Sequence, residues 1–305
     1  MTSKFRIGVD GGGTTTRAVI LDDALRVLGR GQAGSSNHYS VGAGRAIENV
    51  VIAIEDSLAA ASLDLSDAVS CGLGLAGACT ATEQRTLTDA LAPFAKGLEI
   101  VVDEDAAAAQ AGAFGGEPGA ICIAGTGANC FGTNAQGERA RADGLGPLLG
   151  DRGSGYWIGE AALRAVCRAH DGAAHDGAAP CPALSEGVMR HYNTASVDEL
   201  VQLVYRPEFT KDRVAALVPV VLQSQVDEAA QQILQAAGEE LAATAGAVLR
   251  RLNLNRVAVS GGVLARETPV RSSLEKALRR QFPDIQVLEP LHDAAIGAAL
   301  LVRNS

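Results

Sequence analysis

Residues 8–20 read GVDGGGTTTRAVI: an apolar segment runs into an acid, three glycines and three threonines, then turns apolar again. Glycine has no Cβ, so such a run makes tight turns and lets another group come up to bare backbone. Between two strand-like segments, it narrows the fold to a few anion-handling devices. A P-loop needs a lysine on the phosphates after its glycines, and this motif has none. A dinucleotide turn needs a helix directly after its glycines. Here RAVILDD follows, β-branched and apolar, and soon reaches a turn. What remains is a hairpin whose exposed N–H groups form an anion-binding concavity. The threonine hydroxyls add donors, and Asp10 is placed to hold Mg²⁺ through water.

The device occurs twice. GAICIAGTGANCFGTNAQG (119–137) is again strand, glycine-rich turn, strand, turn. This is an internal structural repeat, and GGEPG (115–119) is the hinge candidate between its copies. A length of 305 residues suits two domains. The expected division is an N-terminal domain over 1–116 and a second over 117–290.

The rest of the chain alternates strand and helix signals. Strands are expected at 5–10, 17–23, 25–32, 68–77, 98–105, 255–265 and 283–290. In 45–61, Ile47, Val50, Val51, Ile54 and Leu58 recur with helical spacing. Further helices are expected at 82–95, 106–114, 155–169 and 292–302. Another lies within 226–252, with Val226, Ala230, Ile233, Ala237, Leu241, Val248 and Leu252 on one face. HDGAAHDGAAPCP (170–182) stands apart as a low-complexity loop. Its His170, Asp171, His175, Asp176 and Cys181 follow no zinc-ligand spacing.

Composition excludes several classes. The formal net charge is −9 and aromatic residues make up 4%. An acidic chain poor in stacking residues is not expected to bind nucleic acid or an anionic membrane. The longest apolar runs are too short to span a bilayer. MTSKFRIGVDG lacks a signal-peptide apolar region, so a cytoplasmic location is expected. No CxxC pair occurs among the six cysteines, which read as small buried hydrophobes.

In order and separation, DGGGTTTRAV, VVDEDAAAAQAGA, IAGTGANC, GDRGSGYWIG and VAVSGGVL resemble the sugar kinase/actin-like ATPase superfamily. Within it they are similar to the N-acetylglucosamine kinase branch, which includes the BadF/BcrA-type ATPases. The resemblance implies an α/β fold of two RNase H-like domains with a nucleotide cleft between them. It also implies that a last helix, 291–305, crosses back to the first domain. ATP and Mg²⁺ are the implied cofactors, a small sugar the implied partner, and a homodimer is expected.

Residue by residue, the resemblance makes Gly11, Gly12, Gly13 and Thr14 the first phosphate loop and Asp10 the metal-side acid. Gly125, Thr126 and Gly127 become the second phosphate loop, and Gly261 and Gly262 the adenosine turn. Asp105 matches the catalytic aspartate, with Asp103 and Asp151 as alternatives for the base. Asn37, Asn129 and Asp151 match sugar ligands, whose amides and carboxylates suit vicinal hydroxyls. Where N-acetylglucosamine-specific relatives have tryptophans around the acetamide, this chain has Tyr39 and Leu145. Trp157 reads as core. The implied activity is transfer of the ATP γ-phosphate to a sugar 6-hydroxyl, with N-acetylglucosamine as first choice. Glucosamine or another hexosamine is the alternative acceptor. A second alternative is an ATPase that activates a partner enzyme.

Overall fold

The computed structural model describes residues 4–95, 97–172 and 180–302. His175, Asp176 and the last three residues of the expected closing helix lie outside the described residues. The chain divides into two compact units. One comprises the residues through Ile121, 132–138 and Glu289 onward; the other comprises 122–131 and 139–288.

The first sheet holds β1 (Phe5–Gly11), β2 (Thr16–Leu21), β3 (Val27–Ala33), β4 (Ala68–Leu75) and β5 (Glu99–Glu104), in the order β3-β2-β1-β4-β5. The four residues between β1 and β2 allow only an antiparallel return, and Gly11 pairs with Thr16 at the turn. β4 and β5 each follow a helix, and they continue the sheet in parallel. Those helices are α1 (His38–Val41), α2 (Ala43–Ala61) and α3 (Ala81–Leu91). α4 (Asp105–Phe114) starts where β5 ends.

Both faces of β2 are covered, which explains why AVIL reads as an unbroken apolar run rather than an alternation. Ala18 and Ile20 of β2 join Val50, Ile54 and Leu58 of α2 in one core cluster. Their neighbours Val19 and Leu21 point the other way, onto Ala295, Ile296 and Ala299. These last belong to α12 (Ala294–Leu301), which also lies against α4 and β1.

The second sheet holds β6 (Gly119–Ala124), β7 (Ala128–Thr133), β8 (Arg139–Asp143), β9 (Arg256–Ser260) and β10 (Gln286–Leu288), in the order β10-β9-β6-β7-β8. Counted within each half, both sheets run third-second-first-fourth-fifth. The repeat read from two glycine turns is therefore a repeat of topology. β8 was not foreseen, because RARAD alternates arginine with alanine and has no large apolar side chain.

The halves differ in their helices. Between β8 and β9 come α5 (Gly155–His170), α6 (Pro182–Tyr192), α7 (Val197–Val204), α8 (Lys211–Ala215), α9 (Val218–Gln223) and α10 (Glu228–Leu252). α11 (Pro269–Gln281) precedes β10. The expected stripe on α10 is buried from Ala230 to Leu252. Val226 is not part of it: the helix begins after Asp227, and Val226 is 81% exposed. Cys71, Cys122, Cys130 and Cys181 are buried, but Cys79 is exposed in the turn before α3. Trp157 is half-buried in the first turn of α5 rather than in the core. Among the described residues, no helix is long and apolar enough to cross a membrane.

α12 reaches β1 and α4 through glycines. A Cβ on Gly297 would lie 2.0 Å from the Ala108 carbonyl and 2.3 Å from the Gly112 nitrogen. A Cβ on Gly8 would lie 2.0 Å from the Ala295 carbonyl. Gly297→Ala is expected to destabilise the protein by ~1–3 kcal/mol through overpacking against backbone that has no rotamer to change. A lower urea midpoint at unchanged slope would show this. A variant as stable as the wild type would mean that the close approach imposes no constraint.

Candidate active site

In the first unit, the site begins with strand register. β1, β4 and β5 run parallel, with Gly11 beside Leu75 and Leu75 beside Glu104. Their C-terminal ends are flush, which brings Asp10 and Asp105 to one edge of the sheet, although 95 residues separate them in sequence. Gly74 lets α4 settle on β4, since a Cβ there would lie 2.2 Å from the Ala108 Cβ. Asp105 is the first residue of α4, not the last of the strand, so it does not share a strand face with Asp103. Its Oδ1 accepts the Ala106 N–H at 2.8 Å, which orients the carboxylate at the helix start. Asp103 is buried and accepts from the Glu104 N–H and the Gln84 amide.

Asp10 sits in a costly place. Burial is the main cause that pushes its carboxyl up to about 6, and the nearby negative charges of Asp105 and Asp293 add to it. Its cross-strand partner Arg17 offsets this only in part, at 3.8 Å. Asp293 was not foreseen as a neighbour. It caps α12 by accepting the Ile296 N–H and pairs with Arg30 at 2.9 Å. The only trace in the sequence is an acid directly before an apolar helix.

The turn between β1 and β2 is closed by a Gly12 N–H bond to the Thr15 carbonyl. Gly13 and Thr14 at its tip are exposed, and a Cβ on Gly13 would meet nothing. Gly11 is different: a Cβ there would lie 2.1 Å from the Ser36 hydroxyl. The segment carrying Asn37 is tied to this turn. Thr16 donates to the Gly34 carbonyl and Ser35 to the Gly12 carbonyl. The Asn37 side chain caps α1 by accepting the Tyr39 N–H. Tyr39 is 72% exposed, and its hydroxyl donates to Glu83.

In the second unit, Gly125, Thr126 and Gly127 make the matching turn. The Gly125 N–H bonds the Gly127 carbonyl at 2.9 Å. Carbonyls of Gly125 and Thr126 accept the Gly155 and Tyr156 N–H groups, fastening the turn to the start of α5. Gly261 has φ +98°, and a Cβ there would lie 2.2 Å from the Ala124 carbonyl, so the adenosine-turn candidate lies against the end of β6. A Cβ on Gly262 would meet nothing, leaving bare backbone. Asp151 is buried beside Gly127 and accepts the Ala128 N–H at 3.3 Å. Burial raises its carboxyl above the usual range. The Asn129 side-chain oxygen is buried and lacks a hydrogen-bond partner among the described residues, which leaves it open to a further donor. The structure therefore brings together Asp10, Gly11–Thr14, Asn37 and Asp105 in one unit. It brings together Gly125–Gly127, Asn129, Asp151, Gly261 and Gly262 in the other.

Among the described residues, no group of three or more His, Cys, Asp or Glu is arranged to hold a metal ion alone. Mg²⁺ nevertheless fits Asp10, whose negative charge is already crowded by those of Asp105 and Asp293. The remaining ligands would have to be nucleotide oxygens and water.

Two sheets of one topology, each with a glycine turn beyond its first strand, make this an actin-like ATPase fold of the sugar-kinase kind. The chain belongs to the BadF/BadG/BcrA/BcrD ATPase family, whose model matches residues 7–302. It is 28% identical to an N-acetylmuramic acid/N-acetylglucosamine kinase of Clostridium acetobutylicum, over 99% of both chains. It is 29% identical to an N-acetyl-D-glucosamine kinase of Dictyostelium discoideum, over 100% of this chain and 99% of that one. A solved structure from Chromobacterium violaceum, described as a candidate N-acetylglucosamine kinase, superposes with a TM-score of 0.78. It is 28% identical and covers 99% of this chain and 100% of its own.

Asp10 binds its proton more tightly in the folded chain than in the unfolded one, so its contribution to stability falls as pH rises between about 3.8 and about 6. Asp10→Asn removes that cost. Without nucleotide, it is expected to raise the melting temperature at pH 7, by ~1–3 kcal/mol of stability, and to change little at pH 3.5. Thermal melts at the two pH values check this, and an equal effect at both would remove the electrostatic explanation.

Proposed function

We propose that this chain is an ATP- and Mg²⁺-dependent kinase that phosphorylates the 6-hydroxyl of an amino sugar, N-acetylglucosamine first. The observation that carries the proposal is the placement of Asp105. It is a carboxylate fixed at a helix start, within electrostatic range of Asp10 at the glycine turn. The full-length similarity to two N-acetylglucosamine kinases supports the sugar.

In this reading, Asp105 accepts the proton of the attacking hydroxyl, the role a positioned base fills in phosphoryl transfer. The exposed backbone of Gly13 and Thr14, and that around Gly125 to Gly127, offers N–H groups to phosphate oxygens. Asp10 holds the cation, which when bound neutralises charge on the β- and γ-phosphates. Gly261 and Gly262 give the nucleoside a flat backbone surface. Asn37, Asn129 and Asp151 orient the sugar. A reaction that consumes ATP and yields a charged sugar phosphate suits the cytoplasm.

The partner-activating reading finds less support. By the family resemblance, such activators ligate an iron–sulfur cluster through a cysteine pair. Here burial pushes the Cys122 thiol up to about 12 and that of Cys130 well above its usual value. Neither is poised to be a thiolate ligand.

The test is ATP turnover with glucosamine, N-acetylglucosamine, N-acetylmannosamine, N-acetylmuramic acid and glucose, with and without Mg²⁺. Turnover that needs Mg²⁺ and is highest with N-acetylglucosamine is expected. Turnover indifferent to every sugar would overturn the kinase reading in favour of the activator. Asp105→Asn is expected to lower kcat by roughly 10²–10⁴-fold while ATP affinity stays near wild type. A variant with near wild-type kcat would move the base to Asp103 or Asp151.

A further inference from the structure

Where β8 leads toward α5, residues 143–152 form an excursion whose two ends meet on a single carboxylate. Asp143 Oδ1 accepts the Gly144 N–H at 2.8 Å and the Asp151 N–H at 2.6 Å. Its Oδ2 accepts the Arg152 N–H at 2.9 Å. Three backbone donors therefore converge on one side chain, two of them eight and nine residues away in sequence. The backbone is bent to permit this. Asp143 and Asp151 both have positive φ, at 65° and 55°, a region disfavoured for residues with a Cβ. A Cβ on Gly150 would lie 2.1 Å from Asp143 Oδ1, so only glycine leaves room for the carboxylate.

Other contacts hold the same junction. The Arg141 guanidinium donates to the Asp143 and Gly144 carbonyls, and Arg152 pairs through two nitrogens with Glu240 of α10. The tip of the excursion is treated otherwise. Leu145, Leu148 and Leu149 are 65%, 92% and 77% exposed. Inside the excursion, the Gly146 carbonyl accepts the Leu149 and Gly150 N–H groups, and Gly146 gives its own N–H to the Asp151 carboxylate, whose Oδ1 also accepts the Ala128 N–H beside the second glycine turn.

We propose that Asp143 is a positioning residue for the sugar: it gathers the Asp151 and Arg152 N–H groups and thereby fixes the Asp151 carboxylate beside Gly127 and Ala128. This rests on the reading of Asp151 as a sugar ligand. Asp143 itself touches no substrate. Its carboxylate accepts three N–H groups, which a neutral side chain cannot reproduce. An asparagine in either orientation places its NH₂ against at least one backbone N–H. An alanine removes the clasp entirely.

The test uses the full chain, with Asp143→Asn, Asp143→Ala and Asp151→Asn made singly, and the last two combined. KM for N-acetylglucosamine, KM for ATP and kcat are measured for each. Asp143→Ala is expected to raise the sugar KM about tenfold or more, the scale of losing charge-assisted hydrogen bonds, and to leave the ATP KM within about twofold. Asp143→Asn falls between it and the wild type. The combined variant has the sugar KM of Asp151→Asn alone, because both changes act through one group.

If Asp143→Ala does not fold, as read by circular dichroism, Asp143→Asn carries the same comparison. An equal rise in both KM values, or effects that add in the combined variant, would overturn the proposal. A sugar KM raised by Asp151→Asn but not by the Asp143 variants would overturn it while leaving Asp151 in its role. A sugar KM unmoved by Asp151→Asn would overturn both assignments.

Discussion

The flush ending of three parallel strands is the constraint from which the chemistry of the first unit follows. Gly11, Leu75 and Glu104 are ladder neighbours, so whatever follows them in sequence must meet at one edge. That edge receives a glycine turn from β1 and the start of α4 from β5. It brings Asp10 near Asp105 in a partly desolvated place, where burial and the charge of Asp105 make Asp10 harder to ionise. A helix start beside open backbone amides attracts negative charge, and the two aspartates repel it. Such opposed charges suit the pairing of a cation with an anion that the proposed metal–nucleotide complex would bring.

The apolar architecture serves this edge. α12 comes from the far end of the sequence, yet it lies close against β1 and α4 because Gly8, Gly112 and Gly297 remove the side chains that would hold it off. The approach delivers Asp293 near Asp10 and fixes it as a helix cap. The second unit repeats the sheet but handles its acid differently. Asp151 lies against the glycine turn itself rather than across a strand ladder, and the start of α5 is bonded to that turn.

Much of this was legible in the sequence, for identifiable reasons. The glycine turns and their strands are local features, so the two turns and the repeat could be read from short stretches of sequence. Helices with strong periodicity, such as α2 and α10, were equally plain. β8 was hidden by its alternation of arginine and alanine, and α6 to α9 by their shortness and mixed polarity. Val226 matched the stripe of α10 by spacing but lies before its first turn. Asp293 escaped because its importance lies in Asp10, at the other end of the chain, and Asp143 because a side chain that collects backbone N–H groups eight and nine residues on follows no periodic pattern. Asp105 was expected at the end of a strand, and its position as the first residue of a helix needed coordinates.

The clasp at Asp143 separates two things that loops usually mix. Its ends hold a precise geometry, and Gly146 between them adds its N–H to the Asp151 carboxylate, while the leucine side chains at 145, 148 and 149 stand out from the surface. The three leucine side chains are therefore places where substitutions can accumulate without displacing the carboxylate at the base, provided Gly146 keeps its N–H on it. Such changes would leave the glycine turns of both sheets as they are.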